Sequence, residues 1–541
     1  MRKKASSVTD YMHEPSMDEY DEKRPLRDTM SPEEYARHER SLRWKIDIQI
    51  VPLCTLLYFL SFLDRTNIAQ AKITGLMPSK DYPPPGKPDH SLNLRPETND
   101  YEIALTVLYP PYILLEIPAN LMLKYVGASL WLPFLITAWG IVSTLQGIVS
   151  SRTGLYINRA FLGAAEAGIL PGIAVYLTFF YKPRELQLRQ AIFFTGASLS
   201  GAFSGLLAAA IGKMEDMAGL GGWQWIFILE GIFTVLVGVV CFFLLPDNAD
   251  KCFWLTPIER QIAQERLQHP DMRYKLRPAL QEAVEKTDAG MQDEVAAPVP
   301  ARSTAVRDAI RTFIDPVVWT LCFAGFCTGI NLYSIAYFSP TIVQQINNYS
   351  SVRAKLMSCP PYAVSFVYSV IIAFVSDYFQ LRFITALPGM LLTLIGFVVI
   401  YACTEGMERY GGLIILSAGV FSLPPVLFAW LANNSSGHYK RATGLGLLMV
   451  FTNCGGLAST WLFGSTEGPK YVRGLATNVA LAALGTLLVF VIEAFIWIER
   501  KKRDTGKRDH LVTDLKQKYH WSGDQIREYL GDDHPEYYLE M

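Results

Sequence analysis

Apolar residues gather into twelve runs of about 20 positions separated by polar stretches, the length an α-helix needs to cross a hydrocarbon core. The first six runs lie near 46–66, 101–123, 131–150, 154–180, 189–212 and 223–245. A polar stretch from Asp247 to about Asp315 precedes six more, near 317–340, 360–379, 384–403, 412–432, 442–464 and 474–498. The pattern predicts an all-α membrane protein with twelve transmembrane helices in two six-helix halves, 46–246 and 316–499. Around them lie a tail at 1–45, a central loop at 247–315 and a tail at 500–541.

With an even number of spans both tails share one side, and basic residues choose which. Arg37, Arg40, Arg43 and Lys45 precede the first span, and Arg500, Lys501, Lys502 and Arg503 follow the last. The central loop adds Arg260, Arg266, Arg273, Lys275, Arg307 and Arg311, so tails and central loop are expected in the cytoplasm, most naturally beneath the plasma membrane. The sequon Asn348-Tyr349-Ser350 then lies outside, where Asn348 can be glycosylated.

The polar segments carry their own expectations. The first 45 residues read as a disordered tail without a cleavable signal. The outer loop from Gly75 to Asn99, with Pro83-Pro84-Pro85-Gly86, reads as a flap. Thr256-Pro257-Ile258-Glu259 has the capping-box spacing and predicts a short helix from Pro257 to about Gln268. The segment from Lys286 to Arg302 reads as disordered, and the C-terminal tail as a surface helix at most.

Charges inside apolar runs are the candidate chemistry. Arg159, Gly163 and Glu166 stand at i, i+4 and i+7 of the fourth span, on one face, with the charges about 10 Å apart along the axis. Small neighbours, Ala164, Ala165, Ala167 and Gly168, let another backbone come close. A charge at mid-bilayer costs about 2.5 to 3.5 kcal/mol on insertion scales, so it faces the interior with a partner. Either a structural ion pair or a step in a transport cycle meets that demand.

Composition narrows the class. Half the residues are hydrophobic and 18% charged, and the net charge of -1 arises from the tails and loops, which leaves no nucleic-acid reading. The eight cysteines show no paired spacing, so neither a disulfide framework nor a metal site is expected. No nucleophile triad, ligand cluster or phosphate loop suggests an enzyme or a cofactor.

Six spans, a large loop and six more spans resemble the major facilitator superfamily, in which two six-helix halves hold substrate near the midplane. Arg159-xxx-Gly163-xx-Glu166 resembles its fourth-helix motif, and Ser376-Asp377 with Arg382 a degraded copy of its loop signature. The first-half copy, Lys124 to Ser129, keeps Gly127 and lacks the aspartate. The strings Tyr58 to Ile68 (YFLSFLDRTNI), Glu116 to Asn120 (EIPAN), Gly222 to Gly231 (GWQWIFILEG), Leu245-Pro246-Asp247 and Trp430 to Arg441 are similar to the fungal allantoate permease family of anion:cation symporters. That resemblance implies proton-coupled import of a small organic anion, a vitamin or nitrogen-source carboxylate such as nicotinate, pantothenate or allantoate. The expected partners are that anion, protons and the lipid bilayer, with the chain working as a monomer. A non-transporting receptor of the same fold, or an organellar carrier or exporter, are the rivals.

An anion in a low-dielectric cavity needs a fixed cation, for which Arg65 and Arg159 are the candidates. A proton carrier needs a buried carboxylate whose cation can be taken away. Glu166 beside Arg159 fits, with Glu230 second. Asp64-Arg65, read as ending the first apolar run, serve equally as a helix-end cap or interdomain bridge. Tyr109, Tyr112, Asn331, Tyr333, Tyr337 and Asn453 are candidate cavity liners, or interfacial anchors and packing. Asp64, Glu116, Lys124, Asp377 and Arg382 are gating candidates. Carrying a monoanion into a negative interior costs about 2.3 kcal/mol per 100 mV, which one proton cancels.

Overall fold

A computed structural model describes residues 26, 30–78, 82–83, 87–268, 301–346, 349–379, 381–436, 438–464, 471–519, 521, 523–537 and 539–540. Asn348 and nearly all of 286–302 lie outside them, as does the Lys124 side chain. The first half contains α1 (Pro32–Ala71), α2 (Asp100–Thr106), α3 (Tyr109–Val126), α4 (Ala128–Gln146), α5 (Arg152–Glu166), α6 (Ile169–Leu177), α7 (Pro183–Ile211) and α8 (Gly222–Leu244). Two connecting helices follow, α9 (Pro257–Gln268) and α10 (Ala301–Ile314). The second half contains α11 (Pro316–Ile346), α12 (Ser351–Phe379), α13 (Arg382–Ala402), α14 (Gly406–Asn433), α15 (His438–Ser459) and α16 (Val472–Asp504), then α17 (His510–Tyr519) and α18 (Gly523–Leu530).

Among the described residues, eleven helical stretches are long and apolar enough to span a membrane. The second predicted span is carried by α2 and α3 together, broken at Val107 and Leu108. Pro110-Pro111 cause that break, because proline removes a backbone donor and disfavours helix in the residue before it. The fourth predicted span is also two helices, parted at Ala167-Gly168 directly after Glu166. Its small residues do what their size suggested. A Cβ at Gly163 would lie 2.1 Å from the Leu108 carbonyl oxygen, so α5 rests against the α2–α3 break.

Within the halves α4 packs on α8 and α13 on α14. Between them α7 meets α12 and α14, α1 meets α11, and α3 meets α15. The side carrying the start of α1, the central segment and the chain's last helices is called here the tail side, and the opposite one the far side. On the far side α7 and α12 are pinned: a Cβ at Gly201 would fall 2.3 Å from the Tyr362 ring, and one at Gly205 2.5 Å from the Lys355 carbonyl. On the tail side a small crevice lies between α7, α12 and α14, lined by Leu188, Ala191, Ser376 and Val426.

Three readings of the polar segments change and one stands. α1 begins at Pro32, inside the predicted disordered tail, because Ser31 accepts from the Glu34 amide and Pro32 fits the first turn. The outer loop is docked: the Trp223 indole donates to the His90 carbonyl (3.0 Å), Lys87 to the Glu215 carbonyl (2.6 Å), and Leu92 and Leu94 are buried. The first-half loop lacks its aspartate in sequence, yet Asp247 Oδ1 accepts from the Ser129 amide at 2.9 Å. A carboxylate from beyond α8 thereby caps α4. α9 has the predicted bounds, with Thr256 and Glu259 exchanging the two capping-box bonds; Glu259 also binds Lys45 of α1 at 2.8 Å.

The C-terminal tail departs furthest from expectation. Glu540 binds Arg382 at 3.1 Å, both buried, and accepts from Asn433; its backbone pairs with Trp430 and Asn434. Lys440 bridges Asp532 and Asp315, while Arg503 donates to the Tyr537 and Asp532 carbonyls. All these partners belong to the second half or the segment leading into it. The tail is a cap on that half, just as α9 caps the first.

Candidate functional site

Residues from α1, α3, α5, α8, α11 and α15 form a buried polar belt between the halves. α1 places the centre. It runs on through Ala71 and a turn of π-helix to Leu76, so Arg65 lies about 16 Å from its far end instead of closing the span as the apolar run suggested. The polar residues Thr66, Asn67 and Gln70 are buried here, which a hydropathy reading takes for a helix end.

Arg65 Nε holds Glu166 Oε1 at 2.9 Å. The same carboxylate oxygen accepts from Ser61, one turn before Arg65 on the same face of α1. Arg65 Nη1 donates to the Tyr333 hydroxyl of α11, across the boundary between halves. Its guanidinium also lies 4.8 Å from the Tyr112 ring centroid and 5.5 Å from that of Tyr333. Tyr109 and Tyr337 share a hydrogen bond of 2.7 Å between hydroxyls, and the rings of Tyr333 and Tyr337 stack at 5.8 Å. Gly456 leaves room for this, since a Cβ there would meet the Tyr109 hydroxyl at 2.5 Å.

The expected pairing of Glu166 with Arg159 is therefore corrected: the partner is Arg65. Two groups seven residues apart on one helix are about 10 Å apart, too far for contact, whereas Arg65 crosses from the neighbouring helix. Arg159 is buried, and among the described residues its Nε and Nη1 have no hydrogen-bond partner. Its electrostatic neighbours are Tyr337, Asp64, Tyr101 and Glu166. Asn331, equally buried, has neither amide atom satisfied among the described residues.

Three carboxylates surround this centre differently. Asp64 accepts from the Trp139 indole and, at 2.7 Å, from Ser143, both on α4, so it ties helices within the first half instead of bridging halves at a gate. Glu230 accepts from Asn67 through one oxygen, and among the described residues the other has no partner. Glu116 Oε2 accepts from Asn453 of α15 at 3.3 Å, across the halves, with Oε1 unpartnered among the described residues. Asp377 is half-buried at the end of α12, and Arg382 takes Ser376 and the tail's Glu540 as partners. Sequence reasoning missed Ser61, Asn67, Trp139 and Ser143; the first two stand in the same string as Arg65, at i-4 and i+2, and could have been found there.

A buried arginine shared between a carboxylate and a phenol can exchange one partner for an incoming anion, and a second arginine, Arg159, with two donors unpartnered among the described residues, lies in the same belt. The model of the Major Facilitator Superfamily matches residues 54–460. The MFS-type transporter efuF of Hormonema carpetanum is 30% identical over 467 residues, 86% of each chain. The MFS-type transporter cnsO of Penicillium expansum is 29% identical over 548 residues, 98% of this chain and 96% of its own. In fold, the chain is similar to a bacterial homologue of the human lysosomal transporter Spinster in an inward-facing, occupied conformation, with a TM-score of 0.54 at 15% identity over 82% of this chain and 96% of that one. By the family match and the breadth of these likenesses, the chain belongs to the major facilitator superfamily of membrane transporters.

Proposed function

We propose that the protein imports a small organic anion together with one or more protons, across the plasma membrane with its tails in the cytoplasm, within the anion:cation symporter branch that its sequence strings resemble. The observation that carries this reading is the partition of Arg65 between Glu166 in its own half and Tyr333 in the other. A substrate carboxylate entering the belt competes with Glu166 for the guanidinium fork. A buried carboxylate stripped of its cation is neutralised by a proton, which couples the two fluxes. Arg159 offers two further donors to the anion, and the Tyr109, Tyr333 and Tyr337 rings suit a planar body. Three of the strings carrying the resemblance supply belt residues: Asp64, Arg65 and Asn67, then Glu116, then Glu230. The basic flanks of α1 and α16 support the orientation.

The test is a thermal-unfolding screen of the purified protein against small carboxylates, pyridine carboxylates, vitamins, ureides, dipeptides and neutral sugars at pH 5 and 7. A ligand at 100 times its dissociation constant stabilises by about 2.7 kcal/mol. Hits confined to anions, and stronger at pH 5, are expected. Hits among sugars alone would end the anion reading and leave the fold untouched.

A further inference from the structure

On the far side, away from the belt, a cavity of about 170 Å³ lies between the two halves. Thr74, Gly212, Lys213, Glu215 and Tyr82 line it from the first half, and Gln344, Ser351 and Lys355 from the second. Lys355 is only 3% exposed, on the first turns of α12. Its ammonium has three donors, and the one hydrogen bond found for it among the described residues is a long one, 3.5 Å to the Ala208 carbonyl. The other hydroxyls are already committed: Ser351 donates to the Ile73 carbonyl, Thr74 to that of Gln70, and Tyr82 to Glu215. Glu215 is occupied further by the Gly222 amide at 2.6 Å. Among the described residues the lining therefore carries two lysines against one engaged carboxylate, a net single positive charge around an open space.

Burying an under-bonded ammonium is costly unless something in the space beside it accepts its protons. We propose that this cavity is a second anion site, taking a monocarboxylate or a comparable monoanion on Lys355, separate from the belt. An occupant touches both halves at once. It thus favours the arrangement in which α7 and α12 are pinned on the far side, because a ligand shifts an equilibrium toward the state it binds better.

The experiment uses sodium benzoate as probe, at constant ionic strength with sodium chloride as balance, and follows thermal unfolding of the full-length protein in detergent. Wild type is compared with Lys355→Gln, Lys355→Arg and a belt-silenced variant, Arg65→Gln with Glu166→Gln. Saturable stabilisation in wild type and in the belt-silenced variant is expected, with its half-saturating concentration raised about tenfold or more in Lys355→Gln and restored in Lys355→Arg. Where Lys355→Gln does not fold, Gly212→Ala replaces it, because its Cβ would stand 3.0 Å from Lys355 Nζ and intrude on the site. Absent stabilisation in wild type, or equal stabilisation in wild type and Lys355→Gln, overturns the site. So does stabilisation lost only in the belt-silenced variant, which would assign benzoate to the belt and leave the anion-import reading standing without this second site.

Discussion

The two halves meet at the belt with different chemistry. Among the described residues the first half brings every side chain there that is charged at neutral pH in water: Asp64, Arg65, Glu116, Arg159, Glu166 and Glu230, all buried. The second half brings Asn331, Tyr333, Tyr337 and Asn453, neutral groups that donate, accept or stack. The difference teaches which half does which work. A fixed charge needs a preorganised partner, and Ser61, Asn67, Trp139 and Ser143 supply such partners from within the first half, while Tyr333 and Asn453 each add one bond from the second. The second half can slide its aromatic wall past the charges by giving up two hydrogen bonds, Arg65 to Tyr333 and Asn453 to Glu116, without moving a charge of its own, which suits a half that rocks.

The strongest way to break this comparison is at Arg65. Arg65→Gln leaves Glu166 buried without its cation, and losing one member of a buried ion pair costs about 3 to 5 kcal/mol. Uptake should disappear and thermal stability fall. Adding Glu166→Gln should recover much of the stability and none of the proton-driven accumulation. A double variant no more stable than Arg65→Gln would mean that the pair does not carry the first half's charge balance.

A second comparison lies at the tail side, where each half has a cap. Glu259 of α9 serves the first half through Lys45 and Ser41, and Glu540 serves the second through Arg382 and Asn433. Glu540→Gln keeps the shape but takes the carboxylate charge away from Arg382, which is fully buried and keeps Ser376, so a loss of about 2 kcal/mol is expected, the worth of a hydrogen bond between charged groups. Because the contacts are confined to the second half, hydrogen exchange should rise in α13, α14 and the ends of α16 while α1 and α9 stay protected. Equal loss of protection in both halves would show that the caps are coupled.

Acid should separate the same two caps. Burial pushes the His534 imidazole down to about 4 from 6.5; the Arg527 and Arg503 guanidiniums act the same way, and Glu536 opposes them. The neutral ring accepts from the Glu536 amide at 3.2 Å. A depressed histidine stabilises the docked tail fully above 6.5, and that stability drains as pH falls toward 4, by about 2 kcal/mol at pH 5. Glu259 moves the other way. Burial would raise its carboxyl, but Lys45, the Thr256 amide and Ser41 together hold it below 4.5, so the first cap is lost only in stronger acid. Proteolysis of the C-terminal tail should therefore quicken between pH 7 and 5 with α9 unaffected, and His534→Gln should flatten that dependence.

Much of the architecture could be read from hydropathy because a bilayer demands long apolar helices and little else. The capping box at Thr256 was equally plain, since its two bonds are local. The belt was harder. Arg65 looked like a helix end because hydropathy assigns polar residues to water, while Thr66, Asn67 and Gln70 are in fact buried among other helices. Glu166's partner could not be found along its own helix, since pairing across helices depends on rotation and offset that no periodicity encodes. The same reason hid the tail. Glu540 and Arg382 are 158 positions apart, and nothing near either announces the other.

The mildest test bears on the neutral wall itself. Tyr333→Phe keeps the ring that stacks on Tyr337 and faces Arg65, and removes only the hydroxyl that accepts from the guanidinium. One hydrogen bond to a charged group is worth about 1.5 kcal/mol, roughly tenfold in affinity. Arg65 retains Glu166, so uptake should weaken by about that factor with its proton dependence intact. A Tyr333→Phe variant as inactive as Arg65→Gln would place part of the essential chemistry in the second half. The division of labour at the belt would then be one of charge alone, with both halves indispensable to holding the anion.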